Sequence, residues 1–323
     1  MGLGLVLGLV LFAWMARGVP LGEVWAGLVA AQPAWAGLAL LSVLVNTAAK
    51  VARWRGLFSE PHRPGIGSLT RSLLIGQMAN ALLPARLGDV LRAHILGTEQ
   101  GTGTALVLGT IAAEKAFDIL SLLACAGLTV VWMSLPTWLY IPLIVLAGTG
   151  LALFSLALAW PERTILDWME RWVATRSWRG GAWLVAKSRA LLAGLASVRQ
   201  PRRAVRACSW SVVVWASATA TNYLLLLAYG LPLSIGAALL LLVALTIGIV
   251  PPSSPAKLGV FHSIVVFTLA VMGVDRSAGL VYAVALHLLV YVPQIVPGAI
   301  LLGWVLPATS RFGPKWRQGS RSQ

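Results

Sequence analysis

Glu114 and Asp118 stand four residues apart inside the apolar run 104–133. That spacing puts both carboxylates on one face of a helix. Acids facing lipid are prohibitively costly, so the pair must look into a cavity or onto basic partners. As ligands they would receive an amine-bearing headgroup; as structure they would neutralise Arg86, Arg92 or Lys115. Arg86 lies in Pro84-Ala85-Arg86-Leu87-Gly88, and Lys257 in the matching Pro255-Ala256-Lys257-Leu258-Gly259. Both interrupt apolar stretches, where a cation costs about 2.5–3.5 kcal/mol and is usually retained for a task. The planar fork of Arg86 suits a phosphate, and Lys257 would hold the same group as a point charge. Salt bridges to Glu114 or Asp118 are the structural alternative. Asp89 and Arg92 follow three residues apart, Asp89 as a helix cap or a polar partner. Arg92 would share the space of Arg86 or reach the interface. Gln77 and Asn80, one turn before the first break, complete the headgroup-binding candidates. Lys115, Ser254, His262 and His287 are candidates for the cavity wall.

Other chemistries lack their residues. The four histidines, His62, His94, His262 and His287, show no metal-ligand spacing, and Cys125 and Cys208 both sit in apolar runs. No nucleophile elbow, P-loop or Rossmann glycine pattern occurs, so neither an enzyme nor a cofactor is expected. The four aspartates, Asp89, Asp118, Asp167 and Asp275, are too dispersed for a phosphotransferase cluster.

These side chains must be positioned within a membrane. Of 323 residues, 58% are hydrophobic and only 11% charged, against about 45–50% and 25% in soluble domains. A helix needs about 20 apolar residues to cross the bilayer. The stretches 34–52, 104–133, 138–160, 207–229 and 278–305 qualify, and 2–16 is a short, retained first span. Two more, 66–97 and 234–273, are broken by Pro and Gly at 83–88 and 250–259. The expectation is an all-α polytopic membrane protein with about six full spans and two re-entrant helix pairs in two pseudo-symmetric halves. Broken segments at corresponding places in two halves point to a site at the repeat interface. The halves would be 1–160 and 207–306, joined by a basic interfacial segment at 161–206 and followed by a basic tail at 307–323.

The formal net charge of +15 reads as positive-inside bias and contact with anionic lipid rather than with nucleic acid. Arg53, Arg55 and Arg63, the segment 161–206 and the tail belong on the cytoplasmic side. Counting spans then puts both termini in the cytoplasm, with Arg17 as the one discordant charge. Trp14, Trp35, Trp132, Trp138, Trp160, Trp210 and Trp304 mark span ends, as interfacial indoles do.

Four blocks carry a resemblance to the lysylphosphatidylglycerol synthase transmembrane-region family, the flippase-like domain. They are Arg53-Trp54-Arg55-Gly56-Leu57, the run from Asn80 through Pro84, Arg86, Gly88 and Asp89 to Arg92, Glu114-Lys115-Ala116-Phe117-Asp118, and Pro252 to Phe261. Asp89 replaces the family's usual Glu, Lys115 its Arg, Ala256 its Gly, and His262 a common acid. In the multiple peptide resistance factors this domain moves an aminoacylated phospholipid between leaflets, while a separate soluble domain makes that lipid. This chain resembles a stand-alone translocating half.

The resemblance implies a lipid translocase of the cytoplasmic membrane. Its partners would be an anionic or aminoacylated phospholipid or another amphiphilic lipid, a separately encoded lipid synthase, and a second copy of the chain. The alternatives are a membrane-embedded transferase on a lipid-linked substrate and an accessory subunit of a lipid-modifying enzyme.

Overall fold

The computed structural model describes residues 21–60, 63–83, 86–133, 137, 140–145, 148–150, 152, 167, 171–172, 181–195, 199–249 and 255–310. The described residues are helical, with no strand among them. In chain order the helices are α1 (Leu21–Val29), α2 (Pro33–Leu57), α3 (Ile66–Leu82), α4 (Leu87–Glu99), α5 (Thr104–Trp132), α6 (Gly181–Leu195) and α7 (Pro201–Ala228). Then come α8 (Ile235–Gly248), a 3-10 turn at Pro255–Lys257, α9 (Val260–Val271) and α10 (Arg276–Ser310).

Among the described residues, four helices are long and apolar enough to cross a membrane: Pro33–Leu57, Thr104–Trp132, Pro201–Ala228 and Arg276–Trp304. They correspond to the expected spans 34–52, 104–133, 207–229 and 278–305. The expected span 2–16 lies outside the described residues, as does most of 138–160. α7 begins earlier than the apolar run because Pro201 is preorganised for the first helical turn, where its missing N–H is no loss. The helix therefore carries Arg202, Arg203 and Arg206 before its apolar part begins.

Both broken stretches are helix pairs. α3 and α4 have 17 and 13 residues, about 26 and 20 Å at the helical rise. α8 and α9 have 14 and 12, about 21 and 18 Å. None reaches the roughly 30 Å of a hydrocarbon core, so none of the four is long enough to cross it alone. α3 and α4 fold back on each other. At their open end, the Ser68 hydroxyl donates to Glu99 Oε1 at 2.7 Å and Arg71 pairs with Glu99 Oε2. Near the tip Gly76 faces Gly88, where a Cβ on Gly88 would run into the Gly76 carbonyl and stand 2.6 Å from the Asn80 nitrogen.

α2 and α7 pack antiparallel. Ser42 meets Thr221 at 2.7 Å, and Asn46 donates to Val214 O at 2.6 Å and to Ser217 at 3.1 Å. With no hydrophobic drive between helices in lipid, such hydroxyl and amide contacts supply cohesion. Tyr282 on α10 donates to Asn222 O at 3.0 Å, tying α10 to α7. α6, within the expected interfacial segment, lies against α5 with Gly109 and Gly194 at the closest approach. α1, which lies between the expected spans 2–16 and 34–52, packs on α10 through Gly27 and Val281.

Candidate functional site

The centre of the site is Arg53, 1% exposed on the last turns of α2. One terminal nitrogen meets Asp118 Oδ1 at 2.8 Å and Ser211 Oγ at 3.1 Å; the other meets Glu114 Oε1 at 3.3 Å. Arg92, 2% exposed on α4, grips the other oxygen of Glu114 at 3.2 Å and Asp89 Oδ1 at 3.1 Å. Its guanidinium carbon lies 4.8 Å from the Trp54 ring centroid, and the Trp54 indole donates to Thr110 Oγ1 at 3.0 Å. Lys115 Nζ stands 3.9 Å from both Asp89 Oδ2 and Asp118 Oδ2. Asn80 donates to Asp89 Oδ1 at 3.2 Å across the first hairpin. One network thus joins α2, α3, α4, α5 and α7.

The acidic pair was expected to meet Arg86, Arg92 or Lys115. Arg92 and Lys115 are partners, whereas Arg86 makes no ion pair with a described residue. Arg53 takes the place expected of Arg86. The capping role weighed for Asp89 is not what forms: Arg86 is the N-cap residue of α4, and Asp89 lies inside the first turn with its carboxylate on Asn80, Arg92 and Lys115. Gln77 is half-buried on α3, its carbonyl oxygen making no hydrogen bond with a described group.

The two breaks share an unusual backbone. Arg86 has φ 54° and ψ 36°, Ala256 φ 54° and ψ 10°, and Lys257 φ 56°. Among the described residues these are the non-glycines of positive φ. Left-handed geometry costs an ordinary L-residue about 1–2 kcal/mol. The matching cations of the two five-residue echoes therefore share a positive φ. The second break packs against α3, and Lys257 lies within electrostatic range of both Arg86 and Lys115. Arg86 is exposed and Lys257 half-buried.

Lys50, one turn before Arg53, is within range of Asp118 and Glu114 as well. The connected group then holds Lys50, Arg53, Arg86, Arg92, Lys115 and Lys257 against Asp89, Glu114 and Asp118. Its six cations exceed its three carboxylates by three. Such an excess favours an anion.

His262 and His287 come together in the second half. Their rings stack at 4.9 Å and 15°, His287 stacks on Tyr291 at 4.4 Å, and Phe261 meets His287 edge-on at 5.0 Å. Ser254 lies outside the described residues. At the open end of the first hairpin, burial disfavours a charged Glu99, but hydrogen bonds from Ser68 and Arg71 outweigh it and hold the carboxyl below its ordinary range. Because the folded value is depressed, this latch contributes stability at neutral pH and loses it as pH falls through that value.

Arg53 and Lys50 are the participants that sequence reading missed. The positive-inside rule accounts for an arginine at a span end without requiring burial. The available signal was the buried acidic pair itself, whose two carboxylates must draw cations from neighbouring helices.

Over 132 residues, 41% of this chain, the sequence is 29% identical to the glycosyltransferase AglD of Haloferax volcanii. The chain spans 21% of that relative's length. A second match takes in α1 to α9, both breaks and the whole charged network. It runs over residues 1–298 and is to the lysylphosphatidylglycerol synthase TM region, the family to which this chain belongs.

Proposed function

We propose that this protein moves an anionic or zwitterionic phospholipid between membrane leaflets. The headgroup would pass between the two breaks while the acyl chains stay in the bilayer. The observation that carries the reading is the pairing of Arg86 with Lys257. Each sits at the break of a helix pair with a positive φ, beside a network with surplus positive charge. A phosphate entering there meets the exposed guanidinium of Arg86 and the ammonium of Lys257 before it reaches the internally paired Arg53 and Arg92. Charge-assisted bonds to phosphate replace part of the headgroup's lost hydration. Cations already committed to carboxylates keep the cavity from trapping the anion, since transport requires release as well as binding.

The test is leaflet exchange of labelled phosphatidylglycerol in liposomes holding the purified protein. Wild type should accelerate exchange, and Arg86→Ala or Lys257→Ala should slow it at least tenfold, about 1.4 kcal/mol, with folded protein recovered. Exchange no faster than in empty liposomes would sink the reading, and unchanged exchange in both variants would remove the breaks from the mechanism. The glycosyltransferase name of the Haloferax relative favours one second reading, a transferase on a lipid-linked substrate. That reading requires a covalent product in the same liposomes, which translocation alone does not form.

A further inference from the structure

A cavity of about 780 Å³ opens on the side of the helix bundle, away from the breaks, between α2, α3, α7 and α10. Its walls are apolar, with Leu44, Val45 and Ala48 from α2, Val213 from α7, and Pro293 and Pro297 from α10. One end differs, because Arg55, Arg63 and Arg206 converge there and no carboxylate is among the lining residues. Arg55 is fixed by its Nε donating to Pro64 O at 3.2 Å, which leaves its two terminal nitrogens without a bond to a described residue. The stem of Arg206 lies across Gly56, with Cδ 3.2 Å from where a Cβ would stand, and its guanidinium makes no ion pair with a described residue. Arg63 is partly neutralised by Glu60 at 2.8 Å.

The dimensions are informative. From Leu44 to Arg55 is eleven helical steps, about 16 Å, close to half of the roughly 30 Å hydrocarbon core. The arginine end is the end that the positive-inside rule assigns to the cytoplasmic face. Trp210 lines the cavity one turn beyond Arg206, at the depth where an indole favours the interface. A groove one leaflet deep, apolar along its length and cationic at its headgroup end, has the shape and charge of a single phospholipid.

We propose that this lateral groove is a binding site for one anionic phospholipid of the inner leaflet. Its phosphate sits on Arg55 and Arg206, and an acyl chain lies along the α2 face from Val51 to Leu44. The site is separate from the network around Arg53 and needs no translocation to be occupied, so it stands whether or not leaflet exchange is found.

The experiment uses the full-length protein in nanodiscs of phosphatidylcholine. Each disc is doped with a few per cent of phosphatidylglycerol or phosphatidylcholine carrying a diazirine near the end of one acyl chain. Photolysis should label peptides holding Leu44–Val51 or Trp210–Val213, at least fivefold more with the anionic probe. Arg55→Gln combined with Arg206→Gln should erase that preference. Ala48→Trp, which fills the groove and keeps the arginines, should remove the labelling. Excess glycerol 1-phosphate should not compete, and full competition would replace the lipid site with one for a soluble phosphate ester. Equal labelling by the two probes, or labels outside the groove, would overturn the proposal. The probe comparison in wild type and the Ala48→Trp variant decide the matter even where the double variant fails to fold.

Discussion

At the scale of single residues, the site is organised by what a buried carboxylate requires. Glu114 is 4% exposed and holds an arginine on each oxygen. Removing one partner of such a group leaves an uncompensated charge and costs about 3–5 kcal/mol. Arg53 is the more exposed to this penalty because it also serves Asp118 and Ser211. Arg53→Met should therefore lower the thermal midpoint of the detergent-solubilised protein sharply or abolish its recovery. Adding Glu114→Gln and Asp118→Asn should restore much of the loss, because no unpaired acid then remains. Size-exclusion recovery and a thermal-unfolding series read both effects, and a single variant as stable as wild type would refute the bridging role. The acidic pair was legible in sequence because four-residue spacing inside an apolar run has few explanations. Its main partner was not, because Arg53 and Glu114 are brought together only by the packing of α2 on α5. Nothing local to Arg53 separates a buried arginine from an interfacial one.

At the scale of elements, the broken pairs were legible because Pro and Gly interrupt helices for reasons that need no tertiary context. The close crossing of α3 and α4 was not, since it depends on which glycine faces which. Gly88 fits because the Gly76 carbonyl and the Asn80 backbone occupy the space of its missing side chain. Gly88→Ala should push the two helices apart, weaken the Asn80–Asp89 bond and cost about 1–3 kcal/mol, the usual penalty of overpacking. Gly67→Ala, on an exposed turn of α3 with nothing within 4 Å of the new methyl, is the control. There the better helix propensity of Ala should leave stability unchanged or raised. Unfolding midpoints of the two variants, taken side by side, check this; equal behaviour would mean that the crossing does not depend on Gly88. α6 shows the same limit of sequence reading. Its Trp183, Lys187 and Arg189 suggest a surface helix, whereas its contact with α5 rests on the small residues Gly109 and Gly194, which carry no hydropathy signal.

At the scale of the whole molecule, the position of the charged network follows from how the long helices are inserted. α2 and α7 run antiparallel, so the end of α2 bearing Arg53 and Arg55 lies beside the start of α7 bearing Arg202, Arg203 and Arg206. These charges collect at one end of the helix pair, and the positive-inside rule predicts that this end faces the cytoplasm. The connection at Gly230–Ser234, which carries no charge, then faces the opposite side. Two cysteine substitutions separate this orientation from its reverse. In a background lacking Cys125 and Cys208, Arg202→Cys and Pro232→Cys both place a thiol at an exposed position. A membrane-impermeant maleimide added to intact cells should label position 232 and spare 202, and in inverted vesicles the preference should switch. The reverse pattern would turn the molecule over. It would carry the arginine-lined end of the lateral groove to the outer leaflet and require the groove to draw its lipid from there. The same labelling fixes which leaflet faces the open end of the first hairpin, because α3 and α4 both return to the side on which α2 ends. Orientation therefore sets the direction from which, under the proposed function, a headgroup would first meet Arg86, a matter that the contacts inside the bundle leave free.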